Sequence, residues 1–193
     1  MIELNSHTYF DYLEGLLQIS DSDLNSAAAS ILERIRNQNS IWIMGNGGSA
    51  STAEHFETDL SFIRKGNPFT KIKVSTLTAN SSLITAIAND IGYENIFSHQ
   101  LFRRAEPGDL CILISASGNS ENLLKAASAA KDIGLHTLGL LGFDGGKLGQ
   151  ILDASIIVRT EIGKYGPVED IHLAICHALS EIVSQKLSSS DTL

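Results

Sequence analysis

The sequence predicts an α/β fold: a three-layer, doubly wound sheet of about five mainly parallel strands with helices on both faces. Three observations support this. Apolar, strand-like runs alternate with segments of helical periodicity along the 193 residues. Two strands end in loops rich in Gly, Ser and Asn, at 45–49 and 115–120. No long linker interrupts the alternation, which predicts a single domain over 1–193.

The first half of the chain carries two predicted strands among several helices. Residues 1–38 are predicted to form N-terminal helices. The clearest of them spans 21–36, where Leu24, Ala28 and Ile31 recur at helical spacing, and 9–19 is predicted helical as well. The following predicted elements are strands at 41–44 and 72–77 and helices at 50–63, 81–89 and 95–104.

The second half repeats the alternation more regularly. A Pro-Gly-Asp turn at 107–109 precedes the strongly β-forming run at 110–114. Pro167 suits the first turn of a final helix over 168–186, and residues 188–193 are expected to fray. The remaining predicted elements are a helix from the second loop to 132, a strand at 136–141, a short helix at 145–151 and a strand at 154–158.

Charge and composition exclude some partners. The net charge is −8, and the 14 basic residues form no block, so nucleic-acid binding and a membrane-surface anchor are not expected. No apolar run approaches the ~20 residues of a transmembrane helix, and the N-terminus lacks the pattern of a signal peptide. Cys111 and Cys176 lie among apolar residues, which predicts buried, reduced thiols in a cytoplasmic protein.

The two loops are candidate anion sites because each is followed by a predicted helix, whose N-terminus favours negative charge. Residues 45–50 match the dinucleotide fingerprint G-x-G-x-x-A, but the next strand ends in Thr78-Ala79-Asn80 rather than in an acid, which disfavours a nicotinamide site. In the second loop, Ser115, Ser117 and Ser120 can face one phosphate. The alternative is a simple helix cap and turn without a ligand.

Two groups of ionisable residues are candidates for chemistry. His55 and Asp59 are four positions apart on one helix face, which suits a metal or proton-transfer site but also an ordinary surface pair. On the final helix, His172 and His177 are about 140° apart and cannot face one site. Glu169 and His177, separated by roughly 12 Å of helical rise, can share a metal only if Glu169 lies at an irregular helix start or reaches far along the groove.

Five stretches resemble the sugar isomerase (SIS) family and, within it, the phosphoheptose isomerases. The loops indicate the SIS fold; Asn89-Asp90 and the H-x-x-x-x-H pattern at 172–177 indicate the phosphoheptose group. The stretches are GNGGS at 45–49, AEHF at 53–56, TAIANDIGYENIFSHQ at 85–100, PGDLCILISASGNSENLLKA at 107–126 and EDIHLAICHAL at 169–179.

The resemblance implies a cytoplasmic homotetramer with active sites at subunit contacts and a bound Zn²⁺. It also implies that the N-terminal helices of residues 1–38 serve oligomer packing. Such an enzyme isomerises sedoheptulose 7-phosphate to D-glycero-D-manno-heptose 7-phosphate through an enediol, in heptose biosynthesis. His55 and His177 match metal ligands, and His177 also matches an acid–base residue. The positions that match substrate-binding residues are Asn46, Gly47, Gly48, Ser49, Asn89, Asp90, Ser115, Ala116, Ser117 and Ser120.

The chain departs from the family at three positions. Asp59 stands where the family has a glutamate that is base and metal ligand, Glu169 where it has a glutamine ligand, and Gly166 where it has an aspartate. Either Asp59 or Glu169 is therefore the candidate base, both are candidate metal ligands, and His177 moves protons between the sugar oxygens. The departures leave two alternatives: an isomerase for another sugar phosphate, or a non-catalytic SIS scaffold. Retention of both histidines argues against the scaffold.

Overall fold

The computed structural model describes residues 9–10, 13–14, 19–63 and 70–190. The helices and strands follow the predicted alternation. In chain order they are α1 (Asp21–Asn37), β1 (Ser40–Gly45), α2 (Gly48–Ser61), β2 (Lys73–Thr76), α3 (Ser81–Ile91), a 3-10 turn (Tyr93–Asn95), α4 (Ser98–Arg104), β3 (Leu110–Ser115), α5 (Glu121–Ile133), β4 (His136–Gly142), α6 (Leu148–Ile151), β5 (Ala154–Val158) and α7 (Tyr165–Ser190).

The five strands form one parallel sheet with the order β2-β1-β3-β4-β5. The chain first moves outward from β1 to β2 and then returns to the other side of β1 as β3. The crevice between the carboxyl ends of β1 and β3 is therefore the topological switch point, where open α/β sheets bind ligands. Both Gly/Ser-rich loops lie at this crevice, because one follows β1 and the other follows β3.

Helices cover both faces of the sheet, which confirms the three-layer prediction. The side chains of β3 alternate between the faces: Ile112 and Ile114 pack with α1, α2 and α7, whereas Leu113 packs with α4, α5 and α6. Cys111 and Cys176 are free and buried, as expected, and burial raises the pKa of both thiols.

Several predicted boundaries differ from the structure. The short helix predicted at 145–151 begins only at Leu148, because Gly145 and Gly146 adopt positive φ values of 90° and 54° and form a turn. The final helix spans Tyr165–Ser190, so it starts three residues before the predicted position and continues past residue 186. The predicted helix at 95–104 is divided into the 3-10 turn and α4.

Parts of the N-terminal prediction lie outside the described residues. Residues 9–10 and 13–14 are helical, in agreement with the helix expected over 9–19, while 1–8, 11–12, 15–18, 64–69 and 191–193 are not described. None of the described helices combines the length and the apolar character needed to cross a membrane.

Candidate functional site

A cavity of about 170 Å³ lies at the switch point, between the N-terminal ends of α2, α5 and α7. It brings together most of the residues that the sequence assigned to phosphate and sugar binding. The lining residues are Asn46, Ser49, Ile114, Ser115, Ala116, Ser117, Ser120, Tyr165 and Glu169.

The second Gly/Ser-rich loop, residues 115–120, is called the serine loop here, and it has the geometry of an anion-binding loop. Ser115 is buried, and its Oγ accepts the Gly118 N–H at 3.0 Å, which shapes the loop from within. Ser120 is the N-cap residue of α5, yet its side chain makes no capping hydrogen bond. The Ser120 hydroxyl and the helix N-terminus are therefore available to a ligand, which favours the phosphate interpretation over a simple cap.

The first loop packs closely against the side chain of Glu169. Gly47 adopts a φ of 55°, and α2 begins at Gly48. A Cβ atom at position 48 would overlap the carboxylate of Glu169. That carboxylate therefore lies at the N-terminal end of α2, where the helix dipole favours a negative charge.

A second group lies between α2 and α7. The Nε2 atoms of His55 and His177 are 3.0 Å apart. Asp59 Oδ1 lies 3.6 Å from His55 Nε2, and Asp59 Oδ2 lies 3.7 Å from His177 Nε2. Asp59 Oδ2 is buried without a hydrogen-bond partner. All three ligand atoms lie within 4.8 Å of one another, so this group could hold a metal ion.

The donor set fits Zn²⁺. Tetrahedral coordination at Zn–N distances of 2.0–2.1 Å places ligand atoms about 3.4 Å apart, close to the spacings in this group. A carboxylate oxygen that is buried without a hydrogen-bond partner carries an uncompensated desolvation cost, which a cation would remove. The described structure thus brings His55, Asp59 and His177 together as the sequence predicted.

Glu169 is not among the residues whose ligand atoms lie within 4.8 Å of one another in this group. It is the fifth residue of a regular helix, so the irregular start considered from the sequence is absent, and about 12 Å of rise separates it from His177. Its carboxylate lies instead at the cavity of the serine loop. A role for Glu169 as a metal ligand stays a prediction.

Other polar residues of α7 lie outside the site. His172 is fully buried, and desolvation lowers its pKa to about 4, so it is a neutral core residue on a different helix face from His177. Asp170 accepts a hydrogen bond of 2.6 Å from the Tyr9 hydroxyl. That bond is the main cause that raises the pKa of Tyr9 to about 12.

Asn89 and Asp90 are exposed near the end of α3, where the Asn89 amide donates to the Asp90 carboxylate. Their assignment to the substrate stays a prediction. The structure adds three residues that the sequence did not single out: Tyr165 lines the cavity, and Tyr93 and Asn122 bond the Asn46 side chain. Only Asn122 carried a usable signal, because it lies in the first turn of the helix that follows Ser120.

Comparisons with known proteins agree with this architecture. A family model described as the SIS domain matches residues 7–142. A phosphoheptose isomerase of Helicobacter pylori (strain HPAG1) is 40% identical over 158 residues, which are 80% of this chain and 79% of the relative. A phosphoheptose isomerase of Geotalea daltonii is 34% identical over 190 residues, or 96% and 95% of the two chains.

The fold is also similar to a solved structure. The phosphoheptose isomerase of Neisseria gonorrhoeae superposes with a TM-score of 0.83 at 28% sequence identity. The match covers 93% of this chain and 96% of that one, so it includes the sheet and the helices that carry the site.

Proposed function

This chain belongs to the SIS-domain family, and we propose that it is a phosphoheptose isomerase, an intramolecular oxidoreductase that converts sedoheptulose 7-phosphate to D-glycero-D-manno-heptose 7-phosphate. The observation that carries the proposal is the combination of two centres on one pair of helices. One is a hydroxyl-lined cavity for the phosphate, and the other is a His–Asp–His group for the carbonyl end.

The spacing of the two centres suits an extended sugar phosphate. Glu169 lies against Gly48, and His177 lies against His55, so α2 and α7 run side by side in the same direction. On α2, His55 lies seven residues beyond Gly48, and on α7, His177 lies eight residues beyond Glu169. Each separation corresponds to about 10–12 Å of helical rise. A heptose phosphate held by its phosphate at the cavity extends toward the His–Asp–His group.

The phosphate end is bound by hydroxyls and by backbone. Ser117 and Ser120 line the cavity, and the N-terminus of α5 adds the favourable end of a helix dipole. Gly118 adopts a φ of 62°, and a Cβ there would overlap the Gly145 carbonyl, so the loop requires glycine to pass this point. These contacts fix the sugar without taking part in proton transfer.

The carbonyl end requires a base and a proton shuttle. The base removes a proton from the carbon next to the carbonyl, which forms an enediol. A proton then moves between the two oxygens, and the protonated base returns its proton to the former carbonyl carbon, which completes the isomerisation. We assign the shuttle to His177. Asp59 lies within 3.7 Å of His177 Nε2 and is therefore better placed as base than Glu169, which lies two turns earlier on α7.

We further propose that His55, Asp59 and His177 hold Zn²⁺ and that the Glu169 side chain moves to supply a fourth ligand. A bound zinc ion would polarise the carbonyl oxygen and stabilise negative charge on it. The protein's own contribution is the placement of three ligand atoms from two helices, with one carboxylate oxygen already desolvated.

A cytoplasmic homotetramer is part of the same proposal. The side chains of His55 and His177 are 49% and 54% exposed in the single chain, which is unusually open for a centre that must exclude water. A neighbouring subunit that covers α2 and α7 would close it. Light scattering on the purified protein measures the assembly state, and a monomer would contradict this part.

The activity is tested directly by NMR with sedoheptulose 7-phosphate and a panel of pentose, hexose and other heptose phosphates. We expect conversion of the heptose phosphate, with deuterium from D₂O entering the product at the former carbonyl carbon of the ketose. Preference for another sugar would favour the broader isomerase alternative, and no turnover of any sugar would favour a scaffold.

The residue roles are tested by His177→Ala and Asp59→Ala, which should each abolish turnover while the circular dichroism spectrum stays unchanged. His136→Ala is the matched control, because His136 is exposed at the start of β4, at the opposite end of the sheet from the loops. Near-normal turnover in both site variants would overturn the assignment.

A further inference from the structure

The side-chain amide of Asn46 is held by three hydrogen bonds. Its Nδ2 donates to Asn122 Oδ1, and its Oδ1 accepts from Asn122 Nδ2, each at 2.9 Å. The Tyr93 hydroxyl donates to the same Oδ1 at 2.9 Å. In the part of the chain that the structure describes, the second N–H of Asn46 has no protein acceptor, and Asn46 lines the cavity of the serine loop.

Both partners of Asn46 are themselves fixed by α5. Asn122 is buried in the first turn of this helix, directly after the serine loop. Tyr93 belongs to the 3-10 turn, and Lys125, one turn further along α5, bonds Glu94 at 3.4 Å and Asn95 at 3.2 Å in that turn. One helix therefore carries Asn122 and anchors Tyr93.

We infer that Asn122 and Tyr93 are positioning residues for the isomerase reaction: they fix the Asn46 amide so that its free N–H is presented to the sugar. The amide pair also ties the first loop to the serine loop across 76 positions of sequence. The inference rests on the proposed function. The physical basis is that hydrogen bonds to the oxygen and to one N–H of the Asn46 amide prevent it from rotating. The remaining N–H is therefore preorganised before the ligand binds.

The test uses two variants that remove these bonds in different ways. Asn122→Leu keeps the branching of the side chain at Cγ and deletes both bonds of the pair, whereas Tyr93→Phe removes one hydroxyl from a residue that is 57% exposed. Each is expected to lower kcat/KM about tenfold, the value of one well-placed hydrogen bond. Ser128→Ala, at an exposed position of α5, is the control and should match the wild type.

A double-mutant cycle separates positioning from a structural effect. If Asn122 and Tyr93 act through Asn46, both substitutions should change kcat/KM by less than about twofold in an Asn46→Ala background. Because Tyr93→Phe removes only one hydroxyl from an exposed residue, the kinetics of this variant stay informative even if Asn122→Leu is unstable. Equal losses in the wild-type and Asn46→Ala backgrounds would overturn the inference.

A readout without turnover distinguishes the inference from the function. The side-chain amide resonance of Asn46, identified by its loss in Asn46→Ala, should shift in both variants and stay in place in Ser128→Ala. An unchanged resonance overturns the inference whatever the enzyme does. If the wild type is inactive but the resonance shifts in the two variants as expected, the proposed function is overturned and the hydrogen-bond network is still supported.

Discussion

The carboxylate of Glu169 occupies the space that a side chain at position 48 would need. The first residue of α2 and the fifth residue of α7 are thus matched to one another, although 121 positions separate them in the sequence. The glycine is required here for close approach rather than for a turn. The contact thus links Glu169, which stands where the family has a glutamine, to the first of the two Gly/Ser-rich loops.

Substitution Gly48→Ala tests this match. The new methyl group must displace the Glu169 carboxylate within the cavity proposed for the phosphate, where the moved carboxylate would crowd and repel the substrate. We therefore expect kcat/KM to fall at least about tenfold, while alanine at a helix position stabilises the fold by up to about 1 kcal/mol. Thermal unfolding and steady-state kinetics measure both effects. Gly149→Ala in α6 is the control, since a Cβ there meets only ordinary contacts. Unchanged kinetics would contradict the match.

Substitution Glu169→Gln tests the charge at the cavity. A carboxylate and a substrate phosphate in the same cavity repel one another, so the neutral amide should lower KM severalfold at low ionic strength, and less at high salt. If Asp59 is the base, kcat changes little. A collapse of kcat with unchanged KM would instead identify Glu169 as the base.

Substitution Asp59→Asn tests the proposed metal group. The amide keeps the volume of the side chain but removes the negative charge, so zinc affinity measured by calorimetry on the metal-stripped protein should fall by at least about tenfold. Asp132→Asn, exposed near the end of α5, should bind as the wild type does. Absence of micromolar zinc binding in the wild type would remove zinc from the proposal.

The two serines of the second loop should behave differently. Ser115→Ala removes the buried acceptor of the Gly118 N–H, so it should lower the free energy of unfolding by about 1–2 kcal/mol as well as activity. Ser120→Ala removes a hydroxyl that makes no capping bond, so it should raise KM with little change in stability. Urea unfolding beside kinetics separates the two, and equal stability losses would contradict this division.

His172 should make stability depend on pH. Its folded pKa of about 4 lies below the ordinary 6.5, so the unfolded chain takes up a proton first as the pH falls. The free energy of unfolding should therefore decrease between about pH 6.5 and 4, by about 3 kcal/mol from this residue alone. Urea unfolding at several pH values should give a shallower decline for His172→Leu, and an unchanged decline for the exposed control His136→Leu.

The fold was predictable because its signals are local. Alternating apolar runs and the Gly/Ser-rich loops identify the strands and their carboxyl ends, and the chemistry collects where those ends meet. The predicted start of α6 was wrong because the sequence does not reveal that Gly145 and Gly146 adopt positive φ values, which a helix does not allow.

The site was predictable only in part. His55 and Asp59 share a helix face, and the resemblance added His177 to them. The Asn46 network was not predictable, because it depends on side chains brought together across 76 and 47 positions, where no periodicity applies. Position 169 shows the same limit: spacing gave its distance from His177 but not the contact with Gly48.

The pairing of His55 with His177 also has a consequence for folding. The two residues are 122 positions apart, and they join helices that pack on the same face of the sheet. An ion held between them would act as a removable cross-link that closes a long loop of the unfolded chain, the kind of clip for which loop-closure entropy predicts the largest gain. Metal supply would then govern how long the protein persists as well as how fast it turns over.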